Sequence, residues 1–212
     1  MQKLIQKPKT HLLLLISFCI LLWIIRVKLT HTLFYGFLIW NLFLAYIPYF
    51  ISSLVKNRFQ NSSKLKLTFI LFIWLLFLPN APYIITDFIH LHHSKSSLVW
   101  LDIFLIFSYS STGLLLAVLS LTDVYKIIKQ KWSLKFANYF SISATFLCGF
   151  GIYLGRFLRF NSWDVFTNPI TLLKQCVFSI NDPKTWFITI SFGSFLYIIF
   201  LFSKSIKSSY NE

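Results

Sequence analysis

Asp87 and His90 stand three residues apart, with His92 and His93 just beyond, in a chain that holds only six acidic residues and five histidines. A carboxylate and imidazoles so close can pass protons, hold a divalent metal or anchor a polar ligand. They lie in FLPNAPYIITDFIHLHH, residues 77–93, where Pro79 and Pro82 flank Asn80 and Ala81. A helix resuming at Pro82 sets Tyr83, Thr86, Asp87 and His90 at i, i+3, i+4 and i+7, one polar stripe that His93 extends and His92 does not share. Downstream, Asp102 precedes Tyr109, two turns on and on the same helical face. A second polar group closes CGFGIYLGRFLRFNSWD, residues 148–164: Tyr153, Arg156 and Arg159 recur every three residues, and Asp164 follows a turn at Asn161 and Ser162.

The elements that must position these residues are membrane spans. The 212 residues are 57% hydrophobic and 12% charged, about half the charge of a soluble domain. The apolar residues come in blocks near the ~20 residues that ~30 Å of hydrocarbon requires. Six spans are expected, at about 12–25, 32–55, 65–80, 98–122, 136–157 and 186–203, in a single all-α membrane domain over 1–212. The third helix should break at Pro79 and Pro82, which lack backbone donors. Pro48 should kink the second. Between the fifth and sixth spans an apolar stretch of about ten residues is too short to cross and reads as an interfacial or re-entrant helix, with Ser162 as its cap and Asp164 in its first turn. Gly151 and Gly155 form a G-x-x-x-G pattern that allows close helix approach, and the hydroxyls of SYSSTG, residues 108–113, suit helix packing.

Lysines and arginines divide unevenly. Lys3, Lys7, Lys9, Lys56, Arg58, Lys64, Lys66, Lys126, Lys129, Lys131, Lys135, Lys204 and Lys207 fall on one side, thirteen of the 20, and Arg26, Lys28, Lys95, Arg156, Arg159, Lys174 and Lys184 on the other. The positive-inside rule then expects both termini in the cytoplasm and both polar groups on the outer side. The net charge of +14 flanks apolar blocks and forms no patch with exposed aromatics, so a nucleic-acid partner is not expected. The expected partners are membrane lipids and a small anionic ligand or lipid headgroup.

Cys19, Cys148 and Cys176 sit in apolar surroundings without metal-ligand spacing and read as core residues. HLHH matches no metal fingerprint, so no metal and no cofactor are assigned. The Asn61-Ser62-Ser63 sequon reads as chance in an inner loop. G-x-S-x-G, H-E-x-x-H, phosphate-loop and dinucleotide motifs are absent from the sequence, which disfavours the enzymes that need them.

The two motifs LPNAPYIITDFIHL and LGRFLRFNSWDVFTNP, at 78–91 and 154–169, together resemble a bacterial membrane family of unknown function, domain of unknown function 1361. Pro79, Asn80, Pro82, Tyr83, Asp87 and His90 match the first block of that family. Arg156, Arg159, Asn161, Ser162, Trp163 and Asp164 match the second. The resemblance implies no activity, substrate or cofactor.

Ionisable residues at membrane depth are costly and need partners. The leading functional reading is an outward-facing pocket on a bacterial cytoplasmic membrane protein. Asp87 and Asp102 would be its acceptors, Arg156 and Arg159 its anion clamp, Asn80 and Tyr83 its hydrogen-bonding wall, with His90 and Asp164 close by. The alternatives are a purely structural Asp/Arg/His network in a scaffold protein, and a membrane-embedded enzyme or transporter.

Overall fold

In hydrocarbon, backbone amides must bond within their own segment, so apolar runs of this length become helices. The computed structural model describes residues 8–59, 62–93 and 98–209, and every regular element in them is helical. Lys3, Lys7, Lys95 and Asn61 lie outside the described residues, as do the side chains of Lys9, His93 and Lys207. The long helices are α1 (Pro8–Thr30), α2 (Phe37–Leu54, prolonged by a π-helical turn, Val55–Phe59), α5 (Val99–Lys131), α6 (Leu134–Phe157) and α9 (Pro183–Ser209). The third segment is composite: α3 (Lys64–Phe77), a short α4 (Asn80–Tyr83) and a 3₁₀ run (Ile84–His93). Among the described residues six segments are long and apolar enough to cross a membrane, and the chain is a multi-pass helical bundle.

Local signals account for several boundaries. The Ser63 hydroxyl accepts the Lys66 N–H that opens α3, and the Ser133 hydroxyl accepts the Phe136 N–H that opens α6. Pro169 begins α8 (Pro169–Ser179) and Pro183 begins α9, where a missing N–H costs nothing. Before α8 comes the single turn α7 (Asp164–Thr167). With 11 residues, α8 is about 16 Å long and cannot span. Ser162 does not cap this region: its hydroxyl accepts from Asn80 Nδ2, at 2.8 Å, because Asp164 closes the turn itself.

The break in the third segment satisfies its own backbone. With no N–H at Pro82 to reach Leu78, the Ala81 N–H turns to the Leu78 carbonyl at 3.1 Å. That leaves the Phe77 carbonyl, which accepts from Asn80 Nδ2 at 3.0 Å. Beyond the break, the Ser110 hydroxyl reaches the Ile84 carbonyl at 3.1 Å. Pairing of this kind is what allows irregular backbone at membrane depth.

Helix α5 is the hub, touching α1, α2, α4, the 3₁₀ run, α6 and α9. Its 33 residues extend about 50 Å, beyond the ~30 Å of hydrocarbon. Lipid offers no hydrophobic drive between helices, so close packing of small residues must hold them. A Cβ on Gly113 would collide with the Ala81 carbonyl, and one on Gly151 with the Pro79 ring. A Cβ on Gly149 would strike the Thr189 carbonyl of α9. The broken segment is therefore gripped between glycines of α5 and α6.

Candidate functional site

Arg156, in the last turn of α6, gathers the first motif around itself. Its Nη2 donates to Asp87 Oδ1 at 2.8 Å and its Nε to the Thr86 hydroxyl at 2.9 Å. The guanidinium lies 5.0 Å from the centre of the Tyr83 ring. From α2, Asn41 Nδ2 donates to the other Asp87 oxygen at 2.8 Å. His90 Nε2 stands 4.0 Å from Asp87 Oδ1, and its ring packs on Phe37. Asp87 is 1% exposed. Both its oxygens are engaged by protein groups, so it meets Arg156 directly and faces no open pocket.

The stripe expected from an α-helix is redrawn by the 3₁₀ winding. At three residues per turn, Asp87 and His90 stack on one edge, and Tyr83 and Thr86 fall in register on the next. Arg156 bridges the two edges.

Asp102 belongs to a different group. It is fully buried and accepts from Arg26 Nε of α1 at 3.1 Å. Arg26 also donates through Nη1 to the carbonyl and hydroxyl of Thr32, and lies 4.7 Å from the Tyr35 ring centre. The pair pins α1 to α5. It also explains why α1 runs on to Thr30 instead of ending before Arg26: the charge is neutralised within the bundle.

Asp164 is likewise self-contained. Its carboxylate accepts from the Asn161 N–H at 2.7 Å and the Thr167 hydroxyl at 3.0 Å, fixing the turn after α6. Tyr153 turns away from Arg156 and donates to Asp182 at 2.8 Å. The Lys184 N–H and then the Tyr153 hydroxyl hold the Asp182 carboxyl below its ordinary range.

A cavity of about 450 Å³ lies between α2, the broken third segment, α6, the turn from α6 to α7, α7 and α8. Asn80, Tyr83, Arg159, Asn161 and Ser162 line its polar end, and Leu44, Leu75, Leu147 and Phe150 its apolar part. Arg156, Asp87, His90, Asp102 and Asp164 are not in its lining. Arg159 has φ of 60°, left-handed backbone that a helix end usually gives to glycine. The following Phe160 N–H closes back on the Leu154 carbonyl at 3.1 Å. Arg159 makes no hydrogen bond or ion pair with another described residue.

Sequence reasoning passed over Arg26 as a partner, Asn41 and Asp182. Arg26 was readable, since a charge at the end of an apolar run still needs a counter-ion. Asn41 is a lone amide in an otherwise apolar span. Among the described residues no three of His, Cys, Asp and Glu gather closely enough to hold a metal, and His92 is exposed.

Fold and site together define a multi-pass helical membrane protein with buried ion pairs near one end of the bundle and a cavity beside them. Over residues 40–199 the sequence matches a family described as protein of unknown function (DUF1361), and the chain belongs to that family. No curated protein and no solved structure matches it.

Proposed function

We propose that this protein binds an anionic group, phosphate or carboxylate, at the polar end of the cavity, with Arg159 as its charged contact and the Asn161 amide and Ser162 hydroxyl as hydrogen-bonding neighbours. The observation that carries the reading is Arg159 itself. A non-glycine residue in left-handed backbone costs about 1–2 kcal/mol. The bond from the Phe160 N–H to the Leu154 carbonyl offsets part of that cost, but the Arg159 side chain makes no ion pair or hydrogen bond with a described residue, and the conformation sets this residue in the cavity lining. Its planar fork suits carboxylate and phosphate oxygens. Strained backbone of this kind gathers at ligand sites.

The reading separates the two arginines. Arg156 is spent on Asp87 and Thr86 and serves as structural anchor. The enzyme alternative is less well supported, because neither Asp87, His90 nor Asp102 lines the cavity. The protein would lie in the bacterial cytoplasmic membrane with both termini inside and this cavity on the outer side, as its charge distribution favours.

The test compares Arg159→Gln with Arg156→Gln for binding of inorganic phosphate and of an alkyl phosphate, in discs of neutral lipid. Arg159→Gln should weaken binding by about tenfold or more, the scale of one charge-assisted contact, and leave the unfolding temperature unchanged. Equal affinity of Arg159→Gln and the unsubstituted protein for both anions would overturn the reading.

A further inference from the structure

The shape of the cavity constrains the ligand beyond its charge. Building on the anion-site reading, and resting on it, we infer that the occupant is an anionic phospholipid, headgroup at Arg159 and one acyl chain laid in the apolar groove below it.

Depth is the first argument. Leu147 and Phe150 line the cavity on α6, and Arg159 lies just past the end of that helix at Phe157. Phe157 follows Leu147 by ten helical steps, a rise of about 15 Å. That is half of the ~30 Å hydrocarbon thickness, the depth of one leaflet. A free phosphate or small carboxylate needs only the polar end. A cavity of about 450 Å³ falls in the ~300–1,000 Å³ range of sites that hold much larger ligands.

Access is the second. Trp40 and Leu147 line the cavity and yet are 55% and 50% exposed. Both lie within membrane-crossing helices, so that flank opens sideways into the bilayer and not to water. A lipid can slide in laterally with its chain never leaving hydrocarbon.

The third is the order of chemistry along the groove. Leu75, Leu76 and Leu44 lie below the break, and Asn80, Asn161, Ser162 and Arg159 lie at or above it. Apolar below and cationic above is the pattern of a phospholipid. The prolines serve this order, since the break puts the Asn80 amide, fixed to Ser162 at 2.8 Å, at the boundary.

Trp40 is a built-in reporter. Phosphatidylcholine nanodiscs carrying the full chain would be doped with phosphatidic acid brominated on its acyl chain, or with equally brominated phosphatidylcholine. Subtracting the Trp40→Phe signal isolates quenching at the groove. Brominated phosphatidic acid should quench Trp40 saturably at low mole fraction, and the phosphatidylcholine should not. Arg159→Gln should raise the half-saturating mole fraction about tenfold. Leu147→Phe, which fills the groove at an exposed position, should reduce quenching without altering titration by inorganic phosphate. If inorganic phosphate binds in an Arg159-dependent way but the two brominated lipids quench alike, the anion site stands and the lipid is wrong. If neither probe responds to Arg159→Gln, both readings fall.

Discussion

At the scale of single residues, two arginines three positions apart have opposite fates. Arg156 is 16% exposed and its partner Asp87 1%. That asymmetry makes a prediction. Removing Arg156 strands a carboxylate that water cannot reach, with only the Asn41 amide and a histidine nearby. Arg156→Gln should therefore cost about 3–5 kcal/mol, the range for breaking a buried pair. Asp87→Asn should cost less, because the freed guanidinium sits near the end of its helix and can turn toward water or a headgroup. Arg156→Lys should recover only part of the loss, since an ammonium cannot fork between Thr86 and Asp87. Thermal unfolding of the four proteins in one detergent measures the order. Asp87→Asn falling below Arg156→Gln would mean the carboxylate is better solvated than its burial indicates. The Lys56–Asp123 pair is the contrast: Lys56 is 52% exposed, and breaking that pair should cost at most about 1 kcal/mol.

At the scale of elements, the broken segment stays in place because its neighbours carry glycine where it presses. Gly113→Ala would drive a methyl group against the Ala81 carbonyl, backbone that the two prolines make stiff. Gly151→Ala would meet the Pro79 ring. Each should cost about 1–3 kcal/mol by overpacking, seen as a lowered unfolding temperature. Gly155→Ala, whose Cβ would stand 3.3 Å from the edge of the Tyr83 ring, should cost less than either, because a ring edge can shift by a few tenths of an ångström more readily than backbone or a proline ring. A severe loss at Gly155 with none at Gly151 would reverse this account of the contact. Much of the arrangement was legible in the sequence. Proline chemistry foretold the break, block length the six spans, and Gly151 and Gly155 the close approach. What could not be read was pairing. Asp87 and Asp102 look alike in sequence, both facing inward near a span end, and nothing local says that one meets α6 and the other α1. Partner choice depends on how helices lie side by side, which no single helix encodes. The 3₁₀ winding was hidden for a related reason: the Ser110 hydroxyl that holds the Ile84 carbonyl comes from another helix. Likewise the separation of Arg156 from Arg159 turns on where α6 ends and on one left-handed residue, a detail finer than periodicity resolves.

At the scale of the molecule, the charge distribution predicts that the cavity faces outward, and the chain carries its own probe of that orientation. Cys19 and Cys148 are each 1% exposed within the bundle, whereas Cys176 lies half-buried on α8, outside the membrane-crossing segments. Burial pushes the Cys176 thiol up, so it reacts slowly at neutral pH and faster in mild alkali, where the thiolate forms. A membrane-impermeant maleimide on intact cells at such a pH should label the unsubstituted protein, and Cys176→Ser should abolish the label. Lys174→Cys on the Cys176→Ser background places a thiol on the same helix and guards against slow reaction at the native site. Lys131→Cys on that same Cys176→Ser background, at the far end of α5, should label only after the cells are opened. This pattern is expected if the thirteen cations of the inner side set orientation, because α8 then lies with Arg156 and Arg159 on the opposite face. Labelling of Lys131→Cys on intact cells, with Lys174→Cys protected, would turn the protein over. The lipid drawn into the groove would then come from the cytoplasmic leaflet, whose anionic headgroups are abundant, and the cavity would sample that pool instead of the outer one.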